Sequence, residues 1–542
     1  MKRLLTAMMA MTLATAAFAQ ESGGAGGSAT RAEADRAQID TDAKEVIDYP
    51  AEFTPVADTN PMVEPISLTL ADPFPPSSTR ALPMVTAERV SQADEEMRQR
   101  YADISPGPAR VGVVRPLNAP PITDFAVETP LQDGGTLWTF SVETAEAYGT
   151  RLHFSNFDVG HGELVVFSFV GDELIARGPY TGRGPSETGE LWTASLPGDI
   201  VYVEFWSTDA PTFTVDDIMH FDQPFMVEDG GTNGNGVFSC HNDAMCEPVN
   251  NAARLATGQM NFVSGGSGAV CTGTMLNDQD PDTLVPYFLT ANHCVNTQSE
   301  INSLEVVWLW QRNGCGGALP DYSTLPRSNG GTLVSQQSSN DMTFIRLAGG
   351  VPGGVALAGW TTATSLDNAW GAHHPSGSWK RATLLDSVGV CPGCLCRDGT
   401  DFDYYNMIDG LVEGGSSGSG VFNSSGQIAG QLLGRCSDFS DPGDMNCSNI
   451  DDYWAMYGEF EETYPVIRIW LQRGGTVHVN KANTTPPWEG TPADPYPTVA
   501  LGHAAAWSGA RIKITAGNYP ETLTLNKRVT LVSSGGVVRI GQ

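Results

Sequence analysis

Cysteine is missing from the first 239 residues and from the last 95. All ten cysteines lie between Cys240 and Cys447. Disulfide staples are therefore excluded from both ends and concentrated in the middle of the chain. Positive charge is also scarce. Lys and Arg number 30 against 62 Asp and Glu, a net charge of −32. That balance argues against nucleic acid and anionic membrane surfaces as partners. Between Arg183 and Arg254 there is no Lys or Arg at all. After the N-terminus no stretch offers 18 uninterrupted apolar residues, so no membrane span is expected. Residues 20 to about 60 have few aromatics and much Gly, Ala, Asp and Glu, a composition that reads as disordered.

The N-terminus has the missing apolar run in short form. Met1-Lys2-Arg3 is basic, Leu4 to Ala17 is apolar and small, and Ala17-Phe18-Ala19 forms an A-x-A cleavage site. This predicts a secretory signal peptide over 1–19 and a soluble chain that is secreted or periplasmic. No Cys follows the site, which disfavours a lipid anchor. An even cysteine count in an exported chain reads as disulfides. Cys391, Cys394 and Cys396 could also hold zinc with Cys436, a reading that an oxidising compartment disfavours; no metal or other cofactor is expected.

A length of 542 residues and a 41% hydrophobic content fit two to four domains with sizeable cores. Residues 20–125 read as a disordered, Pro-punctuated pro-region, broken by a helix at Ala87–Tyr101 and a strand at Ala109–Arg115. Over 126–228 short β-branched and aromatic runs predict a β-sandwich, an accessory or pro-domain. Its His153, His161 and His220 are scattered and read as surface or hydrogen-bonded residues. A glycine-rich junction, Asp229–Gly236, follows. Residues 237–473 again show short strands, in a double β-barrel pattern ending in a short helix near Val466–Leu471. The whole is mostly β.

One stretch in that segment has no apolar face: Gly414-Gly415-Ser416-Ser417-Gly418-Ser419-Gly420. A flexible linker is one reading. Strand-like runs beside it, Val421-Phe422 and Ile428–Leu433, favour the other, a tight turn that exposes a serine hydroxyl and backbone N–H donors. Thr290-Ala291-Asn292-His293-Cys294 places a histidine at a strand end, and Asn340-Asp341-Met342-Thr343 places an aspartate before one. His293, Asp341 and Ser417 supply base, orienter and nucleophile. Taken singly, His293 reads as a structural histidine and Asp341 as a turn cap.

At these residues the sequence resembles the trypsin/chymotrypsin-like serine proteases, and more closely the bacterial lysyl endopeptidases. The resemblance rests on Tyr287–Cys294, Asp341–Leu347, Ala358-Gly-Trp360, His373–Lys380, Gly415–Gly420, Gly430–Leu433 and Tyr457-Gly458. It implies a two-barrel endopeptidase acting on protein or peptide substrates, made as a zymogen. His293 is then the general base, Asp341 its orienter and Ser417 the nucleophile, with the amides of Gly415 and Ser417 as oxyanion hole. It also implies disulfides Cys240–Cys447, Cys246–Cys315 and Cys271–Cys294. Lysine-specific members carry Asp two residues before the Tyr-Gly pair; here that position is Ala455. Residues 474–542 resemble the first turns of a right-handed parallel β-helix, a possible surface or glycan docking element. The rival readings are a catalytically inactive protease fold used for binding and a carbohydrate-directed surface protein.

Overall fold

The computed structural model describes residues 46–54, 63–104, 106–132, 134–225, 237–388, 401–437 and 445–541. The signal peptide, most of the stretch expected to be disordered, the 229–236 junction and Cys391, Cys394 and Cys396 lie outside the described residues. The fold is mostly β, with 14% helix and 41% strand in closed and nearly closed barrels.

Two barrels form the centre. The first is built from antiparallel strands that include Thr257–Ser264, Ser267–Leu276, Tyr287–Ala291 and Met342–Leu347. All ten residues of Ser267–Leu276 are buried, because both faces of that strand are covered. The second winds through Ala369–His373, Arg381–Ser387, Phe402–Asp409, Gly420–Phe422, Gln427–Ser437 and Tyr453–Glu459. The closing helix, Phe460–Arg473, is 14 residues long, longer than the short helix expected. Its Phe460 and Tyr464 pack on Trp360, and Ile467 and Leu471 enter the core of the first barrel.

The N-terminal region folds as two facing sheets, but it is not a free-standing sandwich. One sheet contains Thr136–Thr144, Ile200–Ser207, Glu163–Val170 and Glu173–Tyr180. The other runs without a break into the first barrel. Strand Ala109–Pro116 makes this seam: it pairs with Thr214–Phe221 on one edge and with Ser267–Val270 on the other. The register sets Gly112 opposite Gly268. A Cβ on Gly112 would meet the His220 backbone at 2.5 Å, so the close approach requires glycine. Polar groups reinforce the seam. The buried Glu305 of the barrel accepts from the Ser195 amide and hydroxyl, both at 3.0 Å, and from Arg327 Nε at 2.8 Å. Burial opposes its charge, yet Arg327 and Arg151 hold its carboxyl below the usual range.

Residues 48–53, within the stretch expected to be disordered, add two short strands to the second half of the protease segment. Tyr49 stacks on Trp360 at 5.5 Å, and Asn277 Nδ2 donates to the Pro50 carbonyl at 3.0 Å. One aromatic anchor offsets the low apolar content of its neighbours. At the other end, Thr476–Val479, Arg511–Tyr519 and Thr530–Ile540 stack in parallel, as the β-helix resemblance implies. Glu521–Leu525, between the last two strands, is not itself a strand. Its Glu521 carboxylate instead accepts from the Val499 and Ala500 amides, both at 2.9 Å, at the start of helix Val499–Ala505. No helix among the described residues is long and apolar enough to cross a membrane.

Candidate active site

His293 follows the buried strand Tyr287–Ala291, and Asp341 precedes the strand paired with it, Met342–Leu347. The pairing brings the two loops together. His293 Nδ1 lies 2.7 Å from Asp341 Oδ2, and the other carboxylate oxygen accepts from the amide of His293 itself at 2.9 Å. Both lobes of the carboxylate are thus spent on one residue. That fixes the ring and assigns the proton to Nδ1, leaving Nε2 as the basic atom. Asp341 takes a positive φ of 58°, a region aspartate tolerates better than bulkier residues. Its carbonyl accepts from Asn292 N at 2.8 Å. Asn340, fully buried beside it, donates to Thr463 Oγ1 at 2.9 Å, so helix Phe460–Arg473 braces the loop.

Ser417 comes from the second barrel. The turn before it needs Gly415 at φ 92°, and the turn after it needs Gly418 at φ 84°. The loop docks on the first barrel through Thr272. Thr272 N donates to the Ser417 carbonyl at 2.9 Å, and Thr272 Oγ1 donates to the Gly415 carbonyl at 2.9 Å. The same hydroxyl accepts from His374 N at 3.0 Å. Thr272 follows Cys271, which is bonded to Cys294, the neighbour of His293. One crosslink therefore sits between the supports of the base and of the serine. Cys240 is bonded to Cys447 and Cys246 to Cys315. Cys436 is disulfide-bonded as well, so it is not available as a zinc ligand.

A buried chain of polar groups holds the loop from behind. Thr383 Oγ1 donates to the Leu411 carbonyl at 3.0 Å, so it accepts from His373 Nε2, 2.8 Å away. His373 Nδ1 then accepts from Ser416 Oγ at 2.9 Å, and Ser416 Oγ accepts from Glu413 N at 3.2 Å. Every proton in this relay has one place to go. Burial first, then the neighbouring His241, His374 and Arg381, push the His373 ring well below its ordinary range and keep it neutral. Glu413 also accepts from His241 Nε2 at 2.6 Å, tying the loop to the segment that follows the junction.

The serine is not joined to the histidine. Among the described residues no hydrogen bond links Ser417 Oγ to His293; the hydroxyl donates to the Pro106 carbonyl at 3.1 Å, and Ser417 is fully buried. Gly415 N, the first expected oxyanion donor, points to the Gly107 carbonyl at 3.4 Å. Where Asp would stand in a lysine-specific pocket, Ala455 is buried and paired across the sheet with Tyr405 and Arg435. Arg435 Nη1 donates to the Val412 carbonyl, ahead of the nucleophile, at 3.2 Å. Sequence reasoning missed Thr272 and the Pro106–Gly107 contact, and it gave His373 no role beyond its place in the His373–Lys380 motif. Thr272 could have been found from its place beside Cys271; the Pro106–Gly107 contact carries no local signal.

Comparison with known proteins gives a consistent picture. Residues 235–455 match the model of the family described as "Lysyl endopeptidase, C-terminal domain". A lysyl endopeptidase of Pseudomonas aeruginosa is 26% identical over 402 residues, 67% of this chain and 84% of that protein. Among solved structures, the active form of the Rv3671c protease from M. tuberculosis aligns with 15% identity and a TM-score of 0.28, over 44% of this chain and 93% of that one. A serine endoprotease from Yersinia pestis aligns with 14% identity and a TM-score of 0.28, over 41% of this chain and 65% of that one. Over residues 235–455 the chain is similar to the C-terminal domain of the lysyl endopeptidases.

Proposed function

We propose that the chain is an exported serine endopeptidase that cleaves peptide bonds through an acyl-enzyme. Ser417 Oγ attacks the scissile carbonyl carbon while His293 Nε2 takes its proton. Asp341 steadies the imidazolium that forms, and the amides of Gly415 and Ser417 receive the negative oxygen. The proton then passes to the leaving amine. Water attacks the acyl-enzyme by the same route in reverse, and Ser417 is regenerated. The observation that carries the reading is the two-oxygen grip of Asp341 on His293, at 2.7 and 2.9 Å, together with the glycine turns on either side of Ser417. A surface histidine has no use for such an orienter. The relative's name and the family match support the same chemistry. The disulfides suit an extracellular site of action, and the signal-like N-terminus supports export.

Lysine preference does not follow. A pocket selects a basic P1 side chain with a placed carboxylate. Here Ala455 holds that place; Arg435 is its partner in the strand register, and its guanidinium is turned to the Val412 carbonyl and the Tyr453 ring. We therefore propose a non-basic P1 preference.

The test is a fluorophosphonate probe with a peptide library. A chain whose site is accessible labels at Ser417 and cuts peptides; Ser417→Ala does neither, while its melting curve is unchanged. Labelling that survives Ser417→Ala sinks the assignment. A folded chain that never labels, under any condition that opens the site, makes it a binding protein of protease fold.

A further inference from the structure

A cavity of about 630 Å³ lies where three parts of the chain meet: the N-terminal region at Pro185–Glu187, the first barrel, and the C-terminal module. Its size is that of a pocket for a small ligand. It is separate from the candidate triad. Arg346 lines it near the far end of strand Met342–Leu347, five residues beyond Asp341, or roughly 16 Å along a strand.

The lining is cationic in an acidic protein. Arg346, Arg511 and Arg528 all contribute to it, the last two from the module. Residues 474–542 hold six Lys and Arg against three Asp and Glu, a balance of +3, in a chain whose total is −32. Two of the guanidiniums lack an acidic partner. Arg346 lies over the Trp507 ring at 4.6 Å and donates to Thr332 Oγ1 at 3.4 Å, and among the described residues it forms no ion pair. Burial pushes it below the ordinary arginine range, against the pull of Tyr287 and Glu187, yet a guanidinium stays charged. Arg528 is exposed, and its side chain makes no hydrogen bond or ion pair among the described residues. Arg511 is partly engaged: Nη1 donates to the Asp282 carbonyl at 3.3 Å and lies 3.7 Å from the Asp282 carboxylate. Glu187, also in the lining, is exposed.

A half-buried guanidinium without a counter-charge is costly, and a carboxylate supplies the partner through charge-assisted hydrogen bonds. The cavity also has an apolar wall. Trp507 packs against the cores of both the first barrel and the module, which fixes its ring. Leu284 is 44% exposed at the same cavity. Water leaves such a surface readily when an apolar group covers it.

We propose that this cavity binds a carboxylate joined to an apolar group, about the size of the last two residues of a peptide. Arg346 and Arg528 take the carboxylate; Trp507 and Leu284 take the apolar group. A small organic acid and the C-terminal end of a peptide share this chemistry. The inference goes beyond the endopeptidase reading and makes no use of Ser417 as a nucleophile.

The experiment is a calorimetric titration of the full chain carrying Ser417→Ala, so that no probe is consumed. Acetyl-leucyl-leucine with a free carboxylate should bind, and its C-terminal amide should bind at least about tenfold more weakly. Acetyl-diglycine should also bind more weakly. Arg346→Gln and Arg528→Gln should each weaken the acid at least about fivefold, whereas Arg539→Gln, an exposed arginine outside the cavity, should not. Acetyl-leucine separates the two sources: equal affinity assigns a small acid, weaker affinity a peptide end, and either supports the site. Equal binding of acid and amide, or binding of neither at millimolar concentration, overturns the proposal. So do cavity variants that melt like the parent and bind unchanged, or tighter binding of oligogalacturonate than of the peptide acid. Equal binding of the leucine and glycine probes overturns the apolar half. Failure of the protease reading is seen elsewhere, in the labelling of wild-type Ser417, and leaves this titration unchanged.

Discussion

Thr272 and Ser417, from different barrels, share a hydrogen bond from the threonine amide to the serine carbonyl at 2.9 Å. Through its hydroxyl, Thr272 also joins Gly415 and His374. The position of Ser417 is thus set by a residue of the other barrel. Thr272→Val keeps the shape and removes the hydroxyl, leaving the Gly415 carbonyl and the His374 amide unpaired. Each buried loss costs about 1–3 kcal/mol. With the Gly415 amide as an oxyanion donor, as proposed, kcat should fall by about ten- to a hundredfold with KM little changed. An unchanged kcat would show that the hydroxyl only supports folding.

Gly418 meets the base-bearing barrel directly. A Cβ there would land on Thr290 Oγ1 and the Thr272 carbonyl, and within 2.8 Å of Ala291 N, at a φ of 84° that side chains rarely adopt. Gly418→Ala should therefore destabilise the chain by several kcal/mol and abolish probe labelling. The measurement is a denaturant melt beside a labelling assay; a stable, active variant would refute the contact.

His373 and His374 are buried and neutral, each pushed well below the ordinary histidine range, first by burial and then by nearby positive groups. A histidine whose folded pKa is depressed contributes stability above its unfolded pKa of about 6.5, and that stability is lost as pH falls below it. The melting temperature should drop on acidification below about pH 6.5. His373→Gln, which keeps a neutral polar group, should flatten that part of the curve. A variant whose curve parallels the wild type would exclude His373 as a source of acid lability.

Asp278 acts in the opposite sense. Burial first, with Asp280 adding repulsion, raises its carboxyl to about 7. A carboxyl raised on folding stabilises the fold below its unfolded pKa, and the contribution is lost as pH rises through about 7. Asp278→Asn removes the charge without the shape. It should raise the melting temperature at pH 8, by an effect on the order of 2–4 kcal/mol, and lose that advantage only below about pH 4, where the unfolded carboxyl is protonated too. A pH-independent difference would place the effect in packing rather than charge.

The strand patterns, the export-like N-terminus and the clustering of cysteines were all readable along the chain, because each depends on local periodicity or composition. The three candidate catalytic residues were readable for a similar reason: glycine around Ser417, and strand ends before His293 and after Asp341, are local requirements of the chemistry. Helix Ala87–Arg100 and strand Ala109–Pro116 were also legible as elements.

Where those elements went was not legible. Strand Ala109–Pro116 could alternate against any open edge; only the barrel edge at Ser267–Val270, with Gly268 waiting for Gly112, decided that the N-terminal sheet continues into the protease. The Pro106-Gly107 contact has no periodicity to betray it; it forms where helix Ala87–Arg100 and strand Ala109–Pro116 fix both ends of a short connection. Thr272 is an ordinary residue in sequence, and the His373–Lys380 motif does not say what His373 bonds. Their roles arise because hydrogen bonds of buried groups must be completed, and partners more than a hundred residues from Thr272 and more than forty from His373 complete them.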